Sequence, residues 1–120
     1  MSILVAVTDS PEGKAALEAA ANEAATLNVQ LTAINLTSAE LDTSNLATGV
    51  PVEVVVPTGG SEVDEVEQVL QAIEERSEVT RLVVGVRKRS PLGKAVLGSI
   101  AQRLILEATV PVLSVKTTDT

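Results

Sequence analysis

Five short apolar runs, rich in valine and leucine, recur along this chain, and helical periods separate most of them. They are Ile3-Leu4-Val5-Ala6-Val7, Leu31-Thr32-Ala33-Ile34-Asn35-Leu36, Val52-Glu53-Val54-Val55-Val56, Leu82-Val83-Val84-Gly85-Val86 and Val110-Pro111-Val112-Leu113-Ser114-Val115. Nearly unbroken runs of this length read as strands covered on both faces of a parallel sheet.

The intervening segments carry helical spacing. Leu17, Ala20, Ala21, Ala24 and Leu27 form one stripe, with Ser10 as N-cap and Pro11 in the favoured first position. Val63, Val66, Val69, Leu70 and Ile73 form a second, starting near Ser61, with Glu62, Asp64, Glu65 and Glu67 at the positive end of the helix dipole. Ile100, Ala101, Leu104, Ile105 and Ala108 form a third, and Ser99-Ile100-Ala101-Gln102 has the form of a capping box. Right-handed crossovers between such strands predict an α/β fold. It would be a single domain over 1–120, an open five-stranded parallel sheet in the order 3-2-1-4-5 with helices on both faces. Residues Thr37 to Pro51 show only a helical turn around Ala39 to Asp42, so a shortened helix or loop is expected there. Thr117 to Thr120 reads as a frayed tail.

What the chain lacks narrows its chemistry. Among 120 residues there is no Cys and no His, which removes thiol nucleophiles, imidazole bases, thiolate zinc sites and ordinary haem ligands. There is no Phe, Tyr or Trp either, and 9 basic against 16 acidic residues leave a net charge of −7. Without stacking platforms or a basic surface, nucleic acid is not an expected partner. No signal-peptide pattern opens the chain and no apolar run approaches the roughly 20 residues of a membrane helix, so the expectation is a cytoplasmic protein without membrane contact.

In a sheet ordered 3-2-1-4-5, connections leave strands 1 and 4 in opposite directions and open a ligand crevice beyond their carboxyl ends. Two loops would line it: Thr8-Asp9-Ser10 after strand 1, and Gly85 through Ser99 after strand 4. The second carries Arg87, Lys88, Arg89 and Lys94, four of the nine basic residues, whereas no Lys or Arg occurs from Ala15 to Glu75. It leads through Gly98 and Ser99 into a helix N-terminus, where free N–H groups favour an anion. An anion site is preferred over a merely solvated basic loop. It is not a Walker A loop, because Lys88 and Ala95 stand where that pattern needs Gly and Ser or Thr. Asp9 has two open readings, a helix-start residue or a contact to a ribose hydroxyl or metal-bound water. Gly59-Gly60 reads as a turn. No catalytic set is formed, although Asp9 orienting water with Arg87 or Lys94 steadying a phosphate would allow slow hydrolysis.

With these segments in order, the chain resembles the universal stress protein family over almost its full length. Val5-Ala6-Val7-Thr8-Asp9-Ser10 is similar to that family's opening strand and turn, Leu82 through Ser99 to its nucleotide loop, and Val110 through Val115 to its closing strand. The family loop reads Gly, two residues, Gly, nine residues, Gly, then Ser or Thr. Gly85, Gly98 and Ser99 fit, and Lys88 replaces the second glycine. The Arg89-Ser90-Pro91-Leu92-Gly93-Lys94 stretch resembles a variant in a bacterial branch, where Lys88 would either add a phosphate contact or obstruct the backbone's approach.

The resemblance implies a Rossmann-like, adenine nucleotide alpha-hydrolase-like sheet that binds ATP or a related adenine nucleotide, with Mg2+ carried by the nucleotide. Asp9, with Thr8 and Ser10, would lie near the ribose. Gly85 and Arg87 would lie near sugar and phosphates, with Lys88, Arg89, Gly93 and Lys94 along the same loop, and Gly98 with Ser99 would hold phosphate oxygens. Adenine would rest near Ala33 or Ile34, with Val86 nearby. The resemblance also implies a homodimer through the last strand, 110–116, and a regulatory stress-response role with partner proteins not named by the sequence. Two alternatives stand beside it: an interaction scaffold of the same family without nucleotide, and a weak ATPase.

Overall fold

Strand β1 (Ser2–Val7) lies at the centre of the sheet and is buried along its whole length. The structure is a computed structural model that describes residues 1–44, 46, 49, 51–57, 64–88, 95–96 and 98–118, with 88, 95, 96 and 118 described by their backbone. After β1 come helix α1 (Pro11–Leu27), β2 (Gln30–Asn35), β3 (Val52–Val55), α2 (Glu65–Glu75), β4 (Val79–Lys88), β5 (Ala95–Val96), α3 (Ser99–Glu107) and β6 (Val112–Thr118). The expected α/β sheet is present. Strands β3, β2, β1, β4 and β6 are neighbours in that order, all parallel, which is 3-2-1-4-5 in order of the five long strands.

A sixth strand adds to this. The two residues of β5 run antiparallel to β4, with Arg87 opposite Val96 and Lys88 opposite Ala95. Because β6 occupies the other edge of β4 over Leu82 to Lys88, β5 must lie on the edge that β1 uses lower down, beyond β1's last pair at Val5 and Val83. No apolar run announces a strand so short. Its pairing comes from the overhang of β4 past the end of β1.

Strand alternation divides the core into two layers. Ile3, Val5, Val7, Leu31, Ala33 and Val83 face α1, which presents Ala16, Leu17, Ala20, Ala21 and Ala24. Leu4, Ala6, Ile34, Leu82 and Val84 face α2 and α3, which present Val66, Val69, Ile73 and Leu104. Leu4, Leu31, Ile34, Leu82 and Leu104 are at most 1% exposed; burying a side chain of this size contributes about 1.5–3 kcal/mol. Branched and small side chains fill a core that has no aromatic ring to place. Leu27, on the expected stripe of α1, is 42% exposed, because the helix ends there on a left-handed Asn28 cap.

The helix starts differ from expectation in two places. The described start of α2 is Glu65, capped by Asp64, whose carboxylate accepts from the Val66 N–H; residues 61–63 lie outside the described residues. At α3 the cap is Gly98, with no side-chain hydrogen bond, and Ser99 is already the first helical residue, so the expected capping box does not form. Asp64 also pairs with Arg103 of α3, and Arg103 with Glu107, so the guanidinium holds the Asp64 carboxyl below its ordinary value and ties the two helices.

Between β2 and β3, the described residues form no helix. The Asn35 side chain organises the start of that connection, donating to the Ala39 carbonyl at 2.8 Å and accepting from the Thr37 N–H at 2.9 Å. Such Asx turns compete with helix formation. At the other end, Thr117 and Thr118 continue β6 opposite Arg87 and Lys88; residues 119–120 lie outside the described residues. No helix among the described residues is long and apolar enough to cross a membrane.

Candidate functional site

The crevice opens where β1 stops and β4 continues. A cleft of about 260 Å³ is lined by Thr8, Ser10 and Glu12 from one side and by Gly85, Arg87, Gly98 and Ser99 from the other, over a floor that includes Ala6, Val84 and Leu104. Two glycines bring the first wall in. A Cβ on Gly13 would stand 2.1 Å from the Thr8 carbonyl oxygen, and one on Gly85 would stand 2.1 Å from the Glu12 carbonyl oxygen. The N-terminus of α1 is thereby seated directly on β1's loop and on β4. Gly85 thus has a packing reason that does not involve any ligand.

The start of α1 is hydrogen-bonded internally. The Ser10 hydroxyl accepts from the Gly13 N–H at 3.0 Å and shares a 2.7 Å hydrogen bond with the Thr8 hydroxyl. Across the crevice, α3 begins without any side-chain cap. The first N–H groups of an α-helix have no acceptor within the helix, so those at Ser99, Ile100 and Ala101 are available to an anion. Gly98 has φ −68° and ψ 161°, which any residue adopts, and among the described residues a Cβ there would meet nothing within 4 Å.

Of the residues expected in the site, Thr8, Ser10, Gly85, Arg87, Gly98 and Ser99 come together in this cleft. Asp9 is exposed and lines a neighbouring hollow of about 490 Å³ with Thr37, Ala39 and Leu41, reached past Thr8 and Ser10, which border both. Ala33 and Ile34 are not brought to either hollow. They are 0% and 1% exposed and sit in opposite core layers, so the surface at the end of β2 is made by Leu36 and Thr37 instead. Val86 is likewise buried, at 2%. Lys88 has Ala95 opposite it on one edge and Thr118 on the other, which commits its backbone to the sheet. Arg89, Gly93 and Lys94 lie outside the described residues.

Two participants escaped the sequence reading. Glu12 follows Pro11 and reads as an ordinary first-turn acid, yet it lines the cleft, and its Oε1 is buried without a hydrogen-bond partner. Gly13 reads as an unremarked helical glycine, and its position in the first turn of a helix, where glycine is costly, was the available signal.

Size does not select the site. A larger hollow, about 870 Å³ at the ends of β2 and β3, has Glu40 and Glu65 and no basic residue in its described lining, so it disfavours an anion. The smaller cleft has Arg87 and an uncapped helix start. Among the described residues, no group of three or more His, Cys, Asp or Glu side chains is arranged to hold a metal ion.

Comparison with known proteins agrees with this geometry at the level of family and fold. A sequence model described as the Universal stress protein family matches residues 47–116. A universal stress protein from Mycolicibacterium smegmatis is 36% identical over 129 residues, taking in 95% of this chain and 96% of that protein. The solved structure of a universal stress protein from Archaeoglobus fulgidus aligns with a TM-score of 0.73 and 26% identity over 97% of this chain and 98% of that one. A protein of the same family from Burkholderia pseudomallei shares the fold, with a TM-score of 0.62 and 22% identity over 95% and 94% of the two chains.

Proposed function

This chain belongs to the universal stress protein family, and from that premise we propose that it binds ATP or a related adenine nucleotide at the β1–β4 crevice and acts as a regulatory stress-response module. The phosphates bind at the start of α3, against the Ser99, Ile100 and Ala101 N–H groups and Arg87. The sugar and base extend past Thr8 and Ser10 toward Asp9, Thr37 and Leu41.

One observation carries this reading. Gly98 starts α3 with no side-chain hydrogen bond to the first N–H groups and with no described atom within 4 Å of where a Cβ would stand, so this helix start is left open to a ligand. A phosphate at an open helix start fits that description. The commitment of the Lys88 backbone to the sheet favours Gly98 and Ser99, rather than residue 88, as the phosphate-holding backbone.

β6 forms an edge of the described sheet, with Leu113 38% exposed. An unpaired apolar edge is a template for another chain, and this supports a homodimer through that strand.

Isothermal titration of nucleotide-stripped protein with Mg-ATP tests the main reading, with AMP and cyclic AMP as comparisons. Saturable binding near one site per chain is expected. A folded protein that binds none of them at millimolar concentration overturns it and leaves the interaction-scaffold reading. Sedimentation of the same sample should give a dimer at micromolar concentration; a monomer refutes pairing through β6.

A further inference from the structure

One face of the sheet is left partly uncovered by its own chain. Val54 of β3 stands opposite Ala33 of β2, and Ala33 and Leu31 are buried in the layer beneath α1. Val54 therefore points to the α1 side, yet it is 37% exposed, and Val56, two residues on, is 66% exposed. The connectivity explains the gap. Strands β1, β2 and β3 follow one another in a single direction across the sheet, so a right-handed crossover from β2 to β3 belongs on the same face as α1. A helix there would lie beside α1 and over β3. The described residues of that connection form no helix, and the Asn35 side chain holds its start in a turn instead.

Beside these valines lies the hollow of about 870 Å³, whose walls also include Leu36, Leu41 and Pro57. Exposed apolar side chains gathered within a polar border mark a contact surface. The border here is acidic: Glu40 and Glu65 are both exposed, and the described lining has no basic residue. From Ala15 to Glu75 the sequence has eleven Asp or Glu residues and no Lys or Arg. The chain's own helices do not fill the gap, since α1, α2 and α3 bury their apolar stripes in the two core layers. A second copy that met this face with the same face would set acid against acid. The complementary surface is apolar and cationic, and it belongs to another protein.

We propose that this face docks an amphipathic helix of a partner protein in the place a crossover helix would fill. Its apolar stripe lies on Val54, Val56 and Leu41, and its flanking Lys or Arg side chains meet Glu40 and Glu65. This docking does not depend on nucleotide at the β1–β4 crevice.

The test titrates nucleotide-stripped protein into a fluorescein-labelled peptide of Leu and Lys, about five helical turns long, with Leu at helical spacing. Two peptides serve as comparisons: one with Glu in place of Lys, and one of the same Leu and Lys composition in strict alternation, which favours a strand. The helical Leu/Lys peptide should bind saturably at micromolar concentration, and the Leu/Glu peptide should not. Val56→Ser should weaken binding about 10-fold by removing apolar contact, and Glu40→Lys about 10-fold by reversing a charge. Glu74→Lys makes the same change in net charge near the far end of α2 and should leave affinity within about 2-fold. Equal losses at Glu40 and Glu74 overturn the proposal, because general attraction to an acidic protein would then explain them. Unchanged affinity in Val56→Ser overturns it, as does the absence of binding by the helical peptide at millimolar concentration. Tighter binding of the alternating peptide replaces it with strand addition at the edge of β3. Sedimentation of Val56→Ser beside wild type addresses the other occupant: a change in oligomeric state assigns this face to a second copy and overturns the proposal. Thermal melts of the variants establish that each is folded.

Discussion

Two helices begin at the crevice, and they begin differently. At α1 the Ser10 hydroxyl caps the Gly13 N–H, Pro11 occupies the first position, and Gly13 and Gly85 press the first turn against neighbouring backbone. At α3 there is Gly98 with no side-chain cap and open space where a Cβ would be. A helix start whose donors are satisfied from within, and whose approach is closed by packing, is scaffolding. One left open beside Arg87 has somewhere for a ligand to go. The glycines follow the same division: Gly85 is needed by the fold, and Gly98 is not.

That contrast can be broken at its closed end first. Gly85→Val would drive a side chain into the Glu12 carbonyl, which is backbone and cannot swing aside, so a loss of about 3 kcal/mol or more is expected in urea denaturation. A wild-type midpoint would mean that α1 is not seated on β4 as described. The next largest effect lies at the open end. Gly98→Asp supplies α3 with the kind of cap that α1 already has, and should raise stability by a few tenths of a kcal/mol while lowering affinity for polyphosphate about 100-fold through charge repulsion. Unchanged affinity would remove the phosphates from this helix start. The smallest change unmakes the cap of α1. Ser10→Ala should cost about 1 kcal/mol of unfolding free energy, and a loss near zero would show that Thr8 or water satisfies the Gly13 N–H equally well.

The strands and helices were legible because their signals are local. Apolar runs of strand length, a Ser-Pro helix start and stripes at helical spacing gave the sheet order through general rules of connection. The crevice was legible in part for the same reason, since the switch point follows from strand order and brings Thr8, Ser10, Arg87, Gly98 and Ser99 to one cleft. Misplacements occurred where two segments distant in sequence compete for one space. Ala33 and Ile34 are near the end of β2 in number, but each is covered by a different helix layer. Asp9 is between two cleft residues in sequence and lines the adjoining hollow that shares Thr8 and Ser10 with the cleft, on the side where the proposed sugar would extend. Ser99 looked like a cap because its hydroxyl and Gln102 have the right spacing, while the chain places Gly98 in that role.

What lay in the residues alone was therefore the α/β class, the parallel order and the loop ends that meet at the crevice, because periodicity and turn chemistry act over a few neighbours. Only the packed chain decided that Gly85 seats α1, that β5 pairs with the overhang of β4, and that Glu12 borders the cleft with Arg87 and Ser99. Each of these is a contact between segments tens of residues apart, and such contacts depend on which segments together fill a shared few ångströms of space, a quantity no local pattern encodes.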